Sequence, residues 1–551
     1  MLVYRSKLFC LTVLLLLSGI IRADNCNDCC GKVTSHTFYS VRPQFQVGSP
    51  EYLTLMRRCN GAVDEKNMNF NVTLFGGKTT KSDDIAKFFS PFCSECINVN
   101  GAIEEEGTAL LPQHFNLFSV EYSDEVAMFL PMGVSNITDP FVSRITLRPE
   151  QSVIGLGFSF LAKFEACKRN WFFAVSAPLM RVKNDMGLCE VITSTGQFYD
   201  VTPIEDEVTN LNQELHNMTQ ALNQSDWCFG KICCGSLSKT RLAFIQAMLG
   251  LEWASNEHCF ATSFLGITIP TGNKPEGKYI FEPIVGTAGH WGLYSYTTMG
   301  IEFHRFSSNN YVATIDTDIM MQYLFSRTEK RSMDLKYKPW SRYMELYKNK
   351  DQAIQANDLQ ATSIDAWFLA TPGINILTQD VKVKPGYSVS LNVALTLNRD
   401  PNFADRGFTG EIGYNFYARE AECVELECCS LGGAAIKDHS GRGFVNPVRT
   451  MTNDLLSNEA SVANQVFHGE NTTTDVIDNY DTRALTIDDL DLNSAAHPCV
   501  LSNTVYAALG YDWADIKCPV TAGVGGSYEF AGRMNTSLDR WLIWGKLGID
   551  F

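Results

Sequence analysis

Residues Trp541 to Phe551 read WLIWGKLGIDF. Successive side chains of an extended chain point to opposite sides, so Trp541, Ile543, Gly545, Leu547, Ile549 and Phe551 share one face. Lys546 and Asp550 fall on the other. A strand of this length, apolar on one side and charged on the other, suits a tilted crossing of a bilayer with lipid against one face and a lumen against the other.

Similar stripes recur toward the N-terminus, separated by turn-like breaks. Val520, Ala522, Val524, Tyr528 and Phe530 form one, and Val505, Ala507, Leu509, Tyr511 and Trp513 another. Phe408, Ile412, Tyr414, Phe416 and Ala418 make a third, and Val389, Leu391, Val393, Leu395 and Leu397 a fourth. Ala313 to Phe325, Leu293 to Phe303, Ala261 to Ile269 and Ala243 to Trp253 continue the series. The first clear hairpin runs from Ile154 to Phe164 and from Trp171 to Ala177.

If the C-terminal residue is periplasmic, the side of every connection follows by counting. The turns near 165–170, 254–258, 307–310, 399–406 and 514–517 are then periplasmic, and all are short. Segments near 183–240, 271–290, 328–385, 421–500 and 532–540 become outer loops, and nearly all are long. This asymmetry belongs to outer-membrane barrels, whereas a soluble sandwich has no reason for it. These eleven stripes need an odd number of further strands for an even count. Asn69 to Gly76 gives about twelve in all, and His114 to Val120 with Ser143 to Arg148 would give the alternative, fourteen. The expected fold is all-β, a transmembrane antiparallel up-and-down barrel over 67–551 whose long extracellular loops carry some helix.

Composition agrees. Of 551 residues, 45% are hydrophobic and 19% charged, with 34 Phe, too polar for a helical membrane bundle and too apolar for a disordered chain. A formal charge of −16 with no basic block argues against nucleic acid. Arg5 and Lys7 precede an apolar run from Leu8 to Ile20, and Ala23 ends a signal-peptide pattern over 1–23. The next segment, 24–66, with His36 to Phe45 in it, is expected either in the periplasm or inside the lumen. Seventeen of the 18 cysteines follow the leader, and export favours their oxidation. Cys228, Cys233 and Cys234 share a spacing with Cys423, Cys428 and Cys429, which reads as disulfide staples of the outer loops; without paired His ligands no metal site is expected.

Two stretches carry a resemblance. The terminal strand, with its alternation and final Phe551, resembles the closing strand of Gram-negative outer-membrane barrels, which implies an assembly signal at Trp541, Ile543, Leu547, Ile549 and Phe551. It also implies barrel-assembly machinery and outer-membrane lipid as partners. Leu265 to Gly277 (LGITIPTGNKPEG) resembles the strand-to-loop sequence of the superfamily of the long-chain fatty-acid transporter and the phenol-degradation-associated barrels. That resemblance implies import of hydrophobic molecules through a barrel plugged by its N-terminal segment. The cysteines and the long outer loops depart from its pattern.

The lumen lining opposite the stripes is expected to be Lys163, Glu252, Glu302, His304, Asp316, Asp318, Glu411, Arg419, Lys546 and Asp550. Acids outnumber bases there, which biases a water-filled or gated pore toward cations. No HExxH, Gly-x-Ser-x-Gly or phosphate-loop motif occurs, and Glu302 with His304 has no serine neighbour, so neither an enzyme nor a cofactor is expected. Ile204, Val208, Leu211, Leu215, Met218 and Leu222 form a short seam that reads as a helix packed on its own loop in preference to an intersubunit coiled coil. Lys336 to Tyr347 (KYKPWSRYMELY) reads as a second amphipathic helix or an interfacial belt. The expectation is an outer-membrane porin or transporter-like channel for small or hydrophobic solutes. The alternative is a disulfide-stabilised structural or adhesive surface protein, and a homo-oligomer stays open in either case.

Overall fold

The computed structural model describes residues 35–55, 68–100, 109–110, 115, 141–195, 215–256, 258–306, 311–352, 370–399, 406–427, 431–436, 484–531 and 536–551. Residues 1–23, expected to be a leader, lie outside them. Twelve strands form the wall: β1 Met68–Thr79, β2 Glu150–Ala166, β3 Arg169–Asp185, β4 Phe244–Asn256, β5 Cys259–Pro270 and β6 Gly292–Phe306. The rest are β7 Tyr311–Leu324, β8 Gly386–Arg399, β9 Arg406–Arg419, β10 Val500–Trp513, β11 Val520–Ala531 and β12 Arg540–Asp550. Each pairs antiparallel with its neighbours in sequence, and β12 pairs back onto β1 from Asn69↔Asp550 to Thr79↔Arg540. Phe551 and Met68 exchange backbone hydrogen bonds, so the seam is closed to the last residue.

A closed wall satisfies every strand edge, the condition for crossing hydrocarbon. Side chains sort accordingly. Leu74, Ile154, Leu265, Ile412, Leu509, Val524 and Ile543 are exposed outward, whereas Asn71, Gln246, Thr298, Asp318, Asn392 and Thr504 are buried inside. This inversion of a soluble protein makes the barrel a transmembrane one. Aromatic rings gather at both rims, with Tyr323 4.8 Å from Tyr387 at one end and Phe408 5.0 Å from Tyr511 at the other. On the inner face, glycines sit opposite rings on the next strand: Gly155 with Phe75, Gly250 with Phe264, Gly413 with Tyr506 and Gly525 with Trp544. A Cβ at any of the four would lie within 2.5 Å of its ring, so the missing side chain is what lets the ring lie flat on the wall.

Connections at the end bearing Phe551 are short: Cys167 and Lys168 alone join β2 to β3, both at positive φ. At the opposite end the long loops gather into a cap with its own apolar core, in which Phe88, Phe141, Trp227, Phe281, Trp340 and Ile374 are all buried. Helix α1, Ser82–Phe89, adds Ile85, Phe88 and Phe89 to it.

The wall has the twelve strands expected, and the alternative of fourteen falls, because Phe141–Thr146 pairs with Cys96–Asn100 and Cys189–Thr195 in a small sheet outside the barrel. Of His114 to Val120, only Phe115 lies among the described residues, buried in the cap core. Lys336 to Tyr347 is neither a helix nor a belt. It holds a 3-10 turn, Ser341–Tyr343, and a short strand, Glu345–Tyr347, with Trp340 and Tyr343 fully inside the cap, because its rings meet apolar partners from other loops before they can reach lipid. In the seam, Leu215, Met218 and Leu222 pack on the cap core, and its earlier residues lie outside the described ones.

Candidate functional site: a filled lumen

Residues 35–55 run from the cap through the lumen to the short-turn end. Ser35 Oγ donates to Asp334 in the cap (2.7 Å), and Arg42 Nη1 donates to Asn415 Oδ1 midway (2.8 Å). Val47 N donates to Gln246 Oε1 (3.0 Å), and Ser390 Oγ to Gly48 O (2.9 Å). Gly48 sits at φ +90, where a Cβ would be 3.0 Å from Met320 Cβ, so glycine lets the segment turn against the wall. Farther down, Lys546 Nζ donates to Tyr52 O (2.8 Å) and to Thr54 O, and Leu55 N approaches Glu411 Oε2 (3.4 Å). Phe45 lies in a notch of β2, since a Cβ on Gly157 would fall 2.4 Å from its ring.

At the mouth, where lumen and cap meet, charged side chains form a buried chain. His290 Nε2 lies 2.8 Å from Glu329 Oε1, Arg331 Nη2 donates to Glu329 Oε2 (2.7 Å), and Arg331 Nη1 to Glu422 Oε2 (3.2 Å). The Arg331 guanidinium stacks 3.2 Å from the Phe38 ring, and Arg419 Nη1 donates to Ser40 Oγ (2.7 Å). Both contacts grip the entering segment. Burial opposes ionisation of Glu329, yet Arg331 and His290 outweigh it and hold that carboxyl below its usual range. Burial, with Arg419 beside it, pushes His497 well below the imidazole range, and burial takes His36 down to about 4. A cavity of about 50 Å³ lies here, room for a few waters, with Gln151, Asn184, Gln322 and Ser388 in its wall.

The residues read as lumen-lining fall in three groups. Glu252, Asp316, Asp318, Glu411, Arg419, Lys546 and Asp550 are buried inside the wall. Asp318 accepts from Tyr296 (2.8 Å) and Asn392 (3.1 Å), Asp316 from Thr396 (2.7 Å), Asp550 from Asn69 (2.7 Å), and Glu252 accepts from Asn170. Lys163 and Glu302 are half-buried near the short-turn rim, Glu302 accepting from Arg305 Nε (3.0 Å). His304 is exposed: the pairing of β6 and β7 slips between Glu302 and His304, which breaks the alternation that would have turned it inward. The mouth residues His290, Glu329, Arg331, Glu422 and His497 escape the wall periodicity because they lie in the connections between wall strands, Glu329 and Arg331 on the short strand Arg327–Ser332. Trp541, Ile543, Leu547, Ile549 and Phe551 all face outward along the closing strand.

Among the described cysteines of the two clusters, Cys228, Cys233, Cys234 and Cys423 are free thiols in this structure. Cys228 is anchored through its N–H to Asn375 Oδ1, while Cys423 is paired across a strand with Lys384, so equal spacing does not bring the two clusters onto one element. Cys428 and Cys429 lie outside the described residues, and Cys499 is disulfide-bonded.

No protein-family profile and no curated protein matches this chain. Among solved structures it is similar to an outer membrane channel from Pseudomonas putida F1, at 7% identity and TM-score 0.36, covering 89% of this chain and 97% of that one. The β domain of the Bordetella autotransporter BrkA is similar at 6% identity and TM-score 0.31, covering 88% and 100%. A Pseudomonas aeruginosa FadL homologue is similar at 7% identity and TM-score 0.25, covering 88% and 90%. What this chain itself establishes is a closed twelve-stranded transmembrane barrel with residues 35–55 seated in its lumen.

Proposed function

We propose that this protein is a porin or transporter-like channel of a Gram-negative outer membrane, passing small or hydrophobic solutes, with residues 35–55 as the gate. One observation carries the reading. Every wall strand is paired on both sides without the N-terminal segment, which is held largely by side chains such as Gln246, Ser390, Asn415 and Lys546. The segment can therefore shift without opening the ladder. Long loops at the cap end face outward in this reading, and the Phe551 end faces the periplasm. The test is planar-bilayer conductance of the full chain against an Arg42→Ala/Lys546→Met variant, which loses two grips on the segment. Higher open probability in the variant is expected; no conductance in either protein would sink the channel reading.

A second reading, a structural or adhesive surface protein, draws support from the cored cap, which is more built than a channel rim needs. Silence in the bilayer, together with loss of surface attachment when the cap is disrupted, would favour it.

A further inference from the structure

The wall above the lipid-facing band is unusually basic at one place. On β3, Met180 and Val182 point inward and are buried, which turns Arg181 and Lys183 outward, where both are exposed. Two residues below Arg181 on the same face is Leu179, 44% exposed to the lipid side. The short strand Leu237–Leu242 pairs with this part of β3, setting Thr240 opposite Arg181 and Ser238 opposite Lys183. Directly opposed residues share a face, so two cations and two hydroxyls are presented together. Arg181 Nη2 already donates to Ser238 Oγ (3.1 Å). Lys239 and Arg241, exposed on the other face of the short strand, add positive charge.

The nearest acids are engaged elsewhere: Glu150 with Lys78 (2.7 Å), and Asp185 with the N–H of Gly187 (2.8 Å). Among the described residues Arg181 and Lys183 have no carboxylate partner, in a chain whose formal charge is −16. Cations that merely guard a sheet edge belong on an edge strand, as Lys239 and Arg241 do. Arg181 and Lys183 do not, because β3 is paired on both sides here. Leu179, two residues down the same face of β3, is apolar and exposed, so the two cations sit at the cap-side end of the lipid-facing stripe, where headgroups lie.

We propose that Arg181 and Lys183, with Ser238 and Thr240, bind the phosphate groups of an anionic lipid in the leaflet at the cap end. Guanidinium, ammonium and hydroxyl donors converge on one outward face, the set that phosphate oxygens take up as charge-assisted hydrogen bonds. The inference rests on the outer-membrane reading and not on conduction.

Native mass spectrometry of the detergent-purified full chain, titrated with lipid A as a diphosphorylated glycolipid and with phosphatidylcholine, tests it. Lipid A should be retained and phosphatidylcholine not. Arg181→Gln/Lys183→Gln should weaken retention about thirtyfold, at about tenfold or less per cation. Lys168→Gln, at the opposite rim, should leave it unchanged. Equal retention by the double variant would overturn the proposal, and so would complete displacement by inorganic phosphate at equal concentration, which would mark a free-anion site. Heat-modifiable migration separates the failures: its loss in the double variant alone would show misfolding, whereupon Arg181→Lys, which keeps the charge, replaces it and should bind measurably more weakly. Its loss in the unaltered protein would strike the membrane reading instead.

Discussion

The wall and the cap solve the same problem, the burial of backbone and charge, by opposite means. In the wall, long strands of 11 to 17 residues satisfy one another around a closed ring, and polar side chains collect inside. In the cap, strands as short as Asp334–Leu335 and Glu345–Tyr347 supply little ladder, and cohesion comes from an apolar core with a few buried charges. The wall should therefore fail at its seam, and the cap at a single ion pair.

The largest effect is expected at the seam. Phe551 exchanges backbone hydrogen bonds with Met68 and exposes its ring to lipid (51%), so Phe551→Asp places a charge where β12 must close on β1. Outer-membrane yield and heat-modifiable migration should both collapse. Normal yield would show that closure does not depend on this residue.

Next comes the cap. Arg342 and Asp334 are joined at 2.6 Å, both buried, and Ser35 Oγ bonds to the same carboxylate. Removing one partner strands a buried charge, so Arg342→Met should destabilise the cap by about 3–5 kcal/mol. Limited proteolysis should then cut the loops while the wall keeps its heat-modifiable shift. Simultaneous loss of both would mean that wall and cap unfold as one unit, which breaks the contrast.

Acid should act on the cap before the wall. Burial lowers His36 from 6.5 to about 4, a pull that Arg342 reinforces and backbone hydrogen bonds at Asn493 and Ala496 resist. Between those values the unfolded chain binds more protons, so stability rises with pH there. The contribution, on the order of 3 kcal/mol, is complete above pH 6.5 and is lost as pH falls toward 4. His497 shifts in the same direction, and Glu329, held below its ordinary 4.5, loses its contribution only in stronger acid. Relative to the intrinsic rate at each pH, protection from hydrogen exchange at residues 35–40 should fall between pH 7 and 5 while protection in the strands stays constant.

The same contrast explains what was legible in the sequence. Lipid outside and polar groups inside force a period of two on every wall strand, and Ile154, Phe408 and Ile543 each announce a face without help from the rest of the chain. The rule fails where the ladder slips, as at His304. In the cap, Phe88, Trp340 and Leu490 meet across hundreds of residues with no period to mark them, which is why KYKPWSRYMELY read as an amphipathic element. The mouth network shares that difficulty, since Arg331 and Glu422 are 91 residues apart. Cysteine spacing has a related limit: equal intervals along the chain say nothing about which elements the thiols land on.

The smallest effect probes the lumen. Asp316 and Asp318 alternate inward on β7, and their hydrogen-bond donors include the neutral groups of Thr396, Thr314, Tyr296 and Asn392. Carboxylates that line an ion path bias it toward cations. Replacing both by Asn keeps the size and much of the hydrogen bonding while removing that charge. In the Arg42→Ala/Lys546→Met background, where the gate is loosened, reversal potentials under a salt gradient should shift toward lower cation selectivity with little change in conductance. An unchanged reversal potential would mean that ions do not pass these acids, and the lumen would then resemble the cap, a packed interior and not a path.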